Sequence, residues 1–262
     1  MNFKLSHSAS SAFSLENVVK NGTPFGHKSI NLSKKKYWHP FLSQYLLGIR
    51  TQGAIFHPFG MKKSVVQAFY ILALIFKNNG HVLFINTNQE YADFIRNLSL
   101  LTLKNTQKFS SFPWLQTPKI SYSCYKWIGG TLTNYKQISK SILTFAKFSE
   151  RCENFLLGNA IDFPRYKKIK TWFQGFLVKT RAGPLTLAFQ KKPDVIFLVN
   201  PNENPHIIEE AAKLHIPIIA FVESTTNLQG ITYPIPGNIY AFEFLYQCFK
   251  KMIVFSLVYK HS

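Results

Sequence analysis

Basic and aromatic side chains are interleaved in three short segments of the chain: Lys34–Trp38 (KKKYW), Tyr125–Trp127 (YKW) and Arg165–Lys168 (RYKK). Lysine and arginine neutralise phosphate groups, and aromatic rings stack on unpaired bases. One lysine run alone is usually a solvated surface, but here the pattern recurs in a chain of 262 residues with a formal net charge of +19. We therefore predict a polyanionic partner, with RNA as the first candidate.

Metal, disulfide and nucleotide sites lack their usual sequence patterns. Cys124, Cys152 and Cys248 lie far apart without a CxxC pair, so they form neither a disulfide framework nor a zinc signature. His206 and His215 lie at opposite ends of one predicted helix and cannot share an ion. The sequence contains neither GxGxxG nor GxxxxGKS/T, the glycine patterns that cradle phosphates. We predict no metal, no cofactor and no small-molecule substrate.

A catalytic alternative depends on Glu223, which follows the apolar run Ile216–Val222. Folds of the α/β class place catalytic groups at the carboxyl ends of strands, and the polar residues 224–227 (STTN) come next. The other interpretation is a turn whose side chains hydrogen-bond to their own backbone. We predict that the protein is not an enzyme, and a flavodoxin-like enzyme with a site after Val222 is the alternative.

The segment Lys192–Asn238 must position that loop, and its pattern predicts a strand, a helix and a second strand. The apolar runs Val195–Val199 and Ile216–Val222 are the strands. Asn204 is the predicted N-cap of the helix, with proline at the first helical position. Residues 193–238 carry five acids and one lysine, a net charge of −4, so the rest of the chain carries +23. The pattern indicates an acidic core unit within a basic protein.

In the rest of the core, predicted strands and helices also alternate. Asn79-Gly80 predicts the C-cap of an apolar helix, Lys62–Asn78, whose longest apolar run is about a dozen residues, short of the ~20 that a membrane span needs. We therefore predict a deeply buried helix, apolar nearly all round, and no membrane partner. The other predicted elements are the strands His81–Asn86, Ile120–Cys124 and Ile231–Ile235 and the helices Gln89–Leu98 and Ile239–Lys251. Strands that alternate with helices indicate a parallel sheet covered on both faces.

Composition divides the chain into four predicted parts. Residues 1–21 are an N-terminal extension, and residues 22–134 are the first part of an α/β core, with a loop-rich basic start up to Gln52. Residues 135–190 are an inserted helical, basic segment, and residues 191–262 are the second part of the core with a C-terminal helix. The charges of the insertion are one-sided, and like charges at i,i+4 repel each other. A phosphate backbone would relieve that repulsion.

Four sequence blocks, in order, resemble the small-subunit ribosomal protein two family. Gly22–His27 (GTPFGH), followed by Tyr37–Pro40 (YWHP), resembles the family's opening signature. Lys126–Asn134 (KWIGGTLTN), named the central block below, resembles its RWLGGxLTN block. Pro193–Pro217 matches its run of P-D, apolar residues, E-A and I-P, and Ile235–Asn238 (IPGN) its closing signature. Each block alone is weak, but all four in family order are specific.

The resemblance implies a flavodoxin-like α/β fold, a parallel sheet flanked by helices, with a helical hairpin inserted after the central block. It also implies a non-catalytic constituent of the small ribosomal subunit that binds small-subunit ribosomal RNA and neighbouring ribosomal proteins during translation. Glu223-Ser224-Thr225 stands where the family has Asp-Thr-Asn, and Ile239 and Tyr240 stand where an acidic pair is usual. The family's contacts at the closing loop are therefore not carried over to this chain.

The basic composition, with 25 phenylalanines, is typical of an AT-rich organellar gene. We predict a protein of the mitochondrial ribosome, with a plastid as the alternative compartment and an RNA-binding factor outside the ribosome as an alternative function. Trp127 is predicted to anchor the central block, while Gly129 and Gly130 allow backbone angles that other residues resist. The predicted phosphate contacts are Lys28, Lys34, Lys35, Lys36, Arg50, Lys126, Lys136, Lys167, Lys168 and Lys170.

Overall fold

The computed structural model describes residues 24–28, 40–50, 53–92, 120–124, 126–159, 163–173, 176–179, 185–187 and 192–258. The predicted extension and three predicted phosphate contacts, Lys34, Lys35 and Lys36, lie outside these ranges. In chain order the elements are β1 (Phe25–Lys28), α1 (Pro40–Ser43), β2 (Leu46–Arg50), β3 (Gly53–Phe56), α2 (Pro58–Lys77), β4 (Val82–Asn86), β5 (Ile120–Cys124), α3 (Tyr135–Asn159), α4 (Pro164–Trp172), β6 (Leu177–Lys179), β7 (Leu185–Leu187), β8 (Val195–Leu198), a 3₁₀ turn (Pro201–Glu203), α5 (Pro205–Lys213), β9 (Ile218–Val222), β10 (Tyr233–Pro236) and α6 (Phe242–Val258).

Five parallel strands form the central sheet in the order β10-β9-β8-β4-β5. Numbered along the chain within this sheet, the order is 2-1-3-4-5, the doubly wound order of flavodoxin. Every residue of β4, β8 and β9 is buried, which explains why these strands are nearly continuous apolar runs rather than alternating patterns. The predicted flavodoxin-like α/β fold is confirmed.

The predicted strands of this sheet are all present, with ends displaced by at most two residues. Helix α2 begins one turn before the predicted start, because Pro58 supplies a first helical residue that needs no N–H partner. Helix α6 begins at Phe242 rather than Ile239. The delay has a local cause, since the Asn238 side chain accepts the backbone N–H of Tyr240 at 2.9 Å and prolongs the turn.

The sheet separates two apolar clusters. Phe84 of β4 packs with α2 and α6 on one face, whereas Leu83 and Ile85 pack with α5, the central block and the start of α3 on the other. Phe84 stacks on Phe197, with ring centroids 5.3 Å apart, and meets Phe249 of α6 edge-on at 4.5 Å. The central block therefore lies against the face of the sheet opposite to α2 and α6.

Helix α2 packs against β10 and α6 through one face only. Its side chains Phe59, Tyr70 and Leu74 are exposed, so the prediction of a deeply buried helix is wrong for the outer face. By length and composition alone, α2 could also span a membrane, and among the described residues it is the one helix that could. Most of its buried residues, from Val65 to Phe76, belong to the same apolar cluster as α6, whereas Met61 belongs to the cluster on the other face of the sheet.

Two small antiparallel sheets were not predicted. The start of the core, expected to be loop-rich, contains a three-stranded sheet in the order β1-β3-β2, in which four of the five residues of β2 are exposed. The described part of the insertion contains the helices α3 and α4 and, after them, the ribbon β6-β7. Strands of three to five residues with little apolar alternation leave no clear sequence pattern, because their pairing partners decide their structure.

Candidate nucleic-acid interface

The central block is held by one buried carboxylate. Glu210 of α5 accepts hydrogen bonds from the indole Nε1 of Trp127 at 3.2 Å, from the backbone N–H of Gly130 at 2.7 Å and from the backbone N–H of Leu132 at 3.0 Å. The Glu210 side chain is 8% exposed. Buried carboxylates are costly unless they are fully hydrogen-bonded, and three donors to two oxygens satisfy this one. The block is therefore tied to a helix about 80 residues further along the chain.

The block's own residues complete this rigid loop. Trp127 is buried and packs against Phe176, with ring centroids 6.4 Å apart, which confirms its predicted role as an anchor. Gly130 has a φ of +84°, in the left-handed region that disfavours side chains, and its carbonyl accepts the N–H of Asn134 at 2.7 Å. Gly129 is not among the described residues with positive φ, and a Cβ there would meet nothing within 4 Å. The prediction of an unusual backbone angle thus applies to Gly130 alone.

Sequence reasoning missed the role of Glu210. The pair Glu209-Glu210 resembles ordinary acidic residues near a helix start, where the macrodipole favours them. The apolar stripe of α5, Ile207, Ala211 and Leu214, contains the missed signal, because residue 210 lies three positions after Ile207 and so on the same face. A carboxylate on the buried stripe of a helix requires partners elsewhere in the fold.

A basic and aromatic cluster lies beside the central block. Lys126, the first residue of the block, places its Nζ 4.6 Å from the centroid of the Trp172 ring, and Lys168 of α4 places its Nζ 5.7 Å from the same centroid. Both lysines are exposed. Each contact lies within the ~6 Å range of cation–π attraction. Two predicted phosphate contacts from separate sequence clusters thus meet around one indole ring, and we name Lys126, Lys168 and Trp172 the lysine–tryptophan cluster.

The remaining predicted contacts are distributed around this cluster and beyond it. Lys167 and Lys170 are exposed on α4, where Lys170 lies 6.0 Å from the ring of Tyr166. Lys136 is exposed in the first turn of α3. Arg50 is exposed at the end of β2, and Lys28 ends β1, so both belong to the three-stranded antiparallel sheet. Sequence reasoning overlooked Trp172, although its position four residues after Lys168 on one helix face indicates contact.

The loop after Val222 forms a turn that the Thr226 side chain stabilises. The backbone N–H of Glu223 donates to the Thr226 hydroxyl at 2.9 Å, and the N–H of Thr226 donates to the Glu223 carbonyl at 3.1 Å. Glu223, Ser224 and Thr226 are buried. No cluster of three or more histidine, cysteine or acidic side chains suited to a metal occurs within the described ranges. The hydrogen bonds between Glu223 and Thr226 match the turn interpretation of the loop.

A second polar network lies at the carboxyl ends of β4 and β8. Asn204 occupies the N-cap position of α5, but its side chain makes no capping hydrogen bond. Its amide instead donates to the Asn200 carbonyl at 2.8 Å and to the Thr87 hydroxyl at 2.7 Å. Glu203 accepts from Asn200 and Thr87 in the same network. The predicted capping role of Asn204 is wrong, because a tertiary contact competes for its amide group.

We expect Glu223→Gln to stabilise the protein at alkaline pH. Burial, assisted by the negative charge of Glu203, raises the pKa of Glu223 from 4.5 to about 7, against an opposing hydrogen bond from the Ile239 backbone. Between pH 4.5 and 7 the folded protein therefore binds more protons than the unfolded chain, so stability falls as pH rises through this window. The substitution should raise the free energy of unfolding by about 1–3 kcal/mol at pH ~8 and much less at pH ~5.

Urea unfolding at the two pH values measures this difference. Glu209→Gln is the matched control, because Glu209 is exposed on α5 and its substitution should change stability by less than about 0.5 kcal/mol. If Glu223→Gln changed the free energy of unfolding equally at both pH values, the destabilising effect could not come from burial of the charged carboxylate.

Comparison with known proteins gives consistent matches over most of the chain. The family model for ribosomal protein S2 matches residues 18–254. The small ribosomal subunit protein uS2 of Gluconobacter oxydans (strain 621H) is 28% identical over 231 residues, which cover 86% of this chain and 75% of the relative. The uS2 protein of Rickettsia bellii (strain OSU 85-389) is 30% identical over 233 residues, covering 86% and 68%. Small ribosomal subunit protein uS2m of Marchantia polymorpha is 31% identical over 213 residues, covering 77% and 76%.

Proposed function

The chain belongs to the ribosomal protein S2 family, and on that basis we propose that it is a structural constituent of the small subunit of a mitochondrial ribosome. A structural role in the small ribosomal subunit follows from the family, whose members are generally not enzymes. The family also implies binding to ribosomal RNA and to other proteins of the subunit. The identity of those partners and the residues that bind them are part of our proposal.

The lysine–tryptophan cluster is the observation that carries the RNA-binding part of the proposal. Lys126 extends from a loop that Glu210 and Trp127 hold rigid, so little backbone freedom is lost when it meets a phosphate. Lys168 adds a second charge at the same ring. Trp172 orients both ammonium groups, and its partly exposed ring offers an apolar surface to a ribose or base.

The proposed phosphate contacts extend from this cluster. We retain the ten basic residues selected from the sequence, because the seven that the structure describes lie on the insertion, the central block and the antiparallel sheet, outside the acidic unit 193–238. Contacts of this kind position a protein on RNA without reading sequence, and they weaken as salt rises. The contacts are Lys28, Lys34, Lys35, Lys36, Arg50, Lys126, Lys136, Lys167, Lys168 and Lys170.

The mitochondrial assignment is supported by the uS2m relative and by the phenylalanine-rich, basic composition. A tagged copy in the source cell, fractionated by organelle and then by density gradient, tests it. We expect the protein to co-sediment with mitochondrial small subunits in stoichiometric amount. Co-sedimentation with plastid subunits would assign the protein to the plastid. A slowly sedimenting free species would instead favour an RNA-binding factor outside the ribosome.

A further inference from the structure

Three aromatic side chains form an exposed face where the closing loop leads into α6. Tyr240, Phe242 and Tyr246 are 62%, 48% and 37% exposed, although each ring is large and mostly apolar. Phe242 stacks on Tyr246 at a centroid distance of 6.4 Å and on the buried Tyr91 at 6.0 Å. Tyr91 is itself fixed by a hydrogen bond from its hydroxyl to the Ile239 carbonyl at 3.3 Å. Tyr91, Phe242 and Tyr246 thus form a ladder of stacked rings, and Tyr240 lies near enough to Tyr91 to act on it electrostatically. We name the three exposed residues, Tyr240, Phe242 and Tyr246, the aromatic face.

The surroundings of the aromatic face are acidic, opposite in sign to the rest of the chain. Burial raises the pKa of the Tyr240 hydroxyl, and the negative charges of Glu223, Glu203 and Glu90 raise it further, so these carboxylates lie near Tyr240. A fourth carboxylate, Glu243, lies in the first turn of α6. The chain has only 12 acidic residues and a net charge of +19, so three exposed carboxylates, Glu90, Glu203 and Glu243, beside one aromatic face are a local exception.

The acidic character ends within α6. Lys250 is exposed one helical turn after Tyr246 and is followed by Lys251. Positive charge therefore follows the aromatic face along α6, whereas the carboxylates of Glu90 and Glu203 act on Tyr240, which precedes the helix. A polyphosphate chain would be repelled by those carboxylates, whereas a positively charged segment would be attracted to them.

We propose that the aromatic face, with its rim of carboxylates, docks an arginine- or lysine-rich extended segment of a neighbouring protein. Guanidinium and ammonium groups can stack on the exposed rings while they pair with Glu90, Glu203 or Glu243. The partner class rests on the proposed function, because a ribosomal subunit places the chain beside proteins as well as RNA.

The test measures binding of a fluorescein-labelled peptide of alternating arginine and glycine to the full-length protein at low ionic strength. We expect Tyr240→Ala combined with Phe242→Ala to weaken binding about tenfold, which loss of two cation–π contacts would produce. Glu90→Gln combined with Glu203→Gln should weaken it about threefold, and Lys250→Glu should strengthen it by a similar factor. Phe148→Ala is the matched control, because Phe148 is an equally exposed ring, at 54%, on the basic helix α3.

A single-stranded RNA oligonucleotide, assayed with the same variants, separates this inference from the proposed function. RNA binding should be unaffected by the two alanine substitutions in the aromatic face and should weaken when Lys126 and Lys168 are replaced. Unchanged peptide binding in both the aromatic and the carboxylate variants overturns the inference even if RNA binding behaves as expected. Weaker RNA binding in the aromatic variant would identify RNA as the occupant, and self-association lost in that variant would identify a second copy of the chain.

Discussion

Replacement of Glu210 by alanine should lower the free energy of unfolding by about 3–5 kcal/mol, because three donors lose their acceptor. The indole of Trp127 and the backbone N–H groups of Gly130 and Leu132 all donate to this carboxylate. An unsatisfied buried donor costs about 1–3 kcal/mol, and entry of water would recover part of that cost. Domains are typically stable by only ~5–15 kcal/mol, so urea unfolding should show a large loss.

The neighbouring residue provides the control for this change. Glu209→Ala alters the same residue type one position away, but Glu209 is exposed, and we expect less than about 0.5 kcal/mol. The loss of stability caused by Glu210→Gln should lie between those of Glu209→Ala and Glu210→Ala. A glutamine keeps one acceptor oxygen but presents an NH₂ group where a backbone N–H also points. Equal stability of the Glu209→Ala and Glu210→Ala variants would contradict the assignment of Glu210 as the anchor of the central block.

Combined replacement of Lys126 and Lys168 by alanine should weaken binding to single-stranded RNA by about 10- to 100-fold. Each lysine that neutralises a phosphate releases counterions, so the slope of log affinity against log salt should become shallower by about 1.5. Fold stability should change little, because both side chains are exposed and their only described contacts are with the ring of Trp172. Fluorescence anisotropy over a salt series measures the affinity and the slope together.

A second pair of lysines is the control for the loss of net charge. Lys77 ends α2 and Lys250 lies on α6, and both are exposed on helices that cover the opposite face of the sheet. Their combined replacement by alanine removes the same charge, yet it should leave the salt slope within about 0.5 of the wild type. Equal slopes for the two double variants would mean that RNA responds to the overall charge of the protein and not to the lysine–tryptophan cluster.

The features of the fold that could be predicted are those that depend on a segment's own composition. Val195–Leu198 and Ile218–Val222 are buried on both sides, so their composition alone indicates central strands of a parallel sheet. The ribbon β6-β7 and the sheet β1-β3-β2 escaped prediction, because their short strands depend on a partner segment rather than on a period of their own. The start of α6 was misplaced for a related reason, since a side-chain hydrogen bond of Asn238 decided it.

Local patterns were enough to establish the class of fold and the alternation of strands and helices along the chain. They also established the basic character that points to RNA, because burial periodicity and charge are properties of neighbouring residues. The arrangement of the candidate site depends on contacts between distant residues. Glu209 and Glu210 are identical in type, and only the packing of α5 against the central block makes one a solvent-exposed charge and the other a buried acceptor. Lys126 and Lys168 belong to different sequence clusters, and the fold alone brings them to the ring of Trp172, because cation–π attraction acts only within about 6 Å.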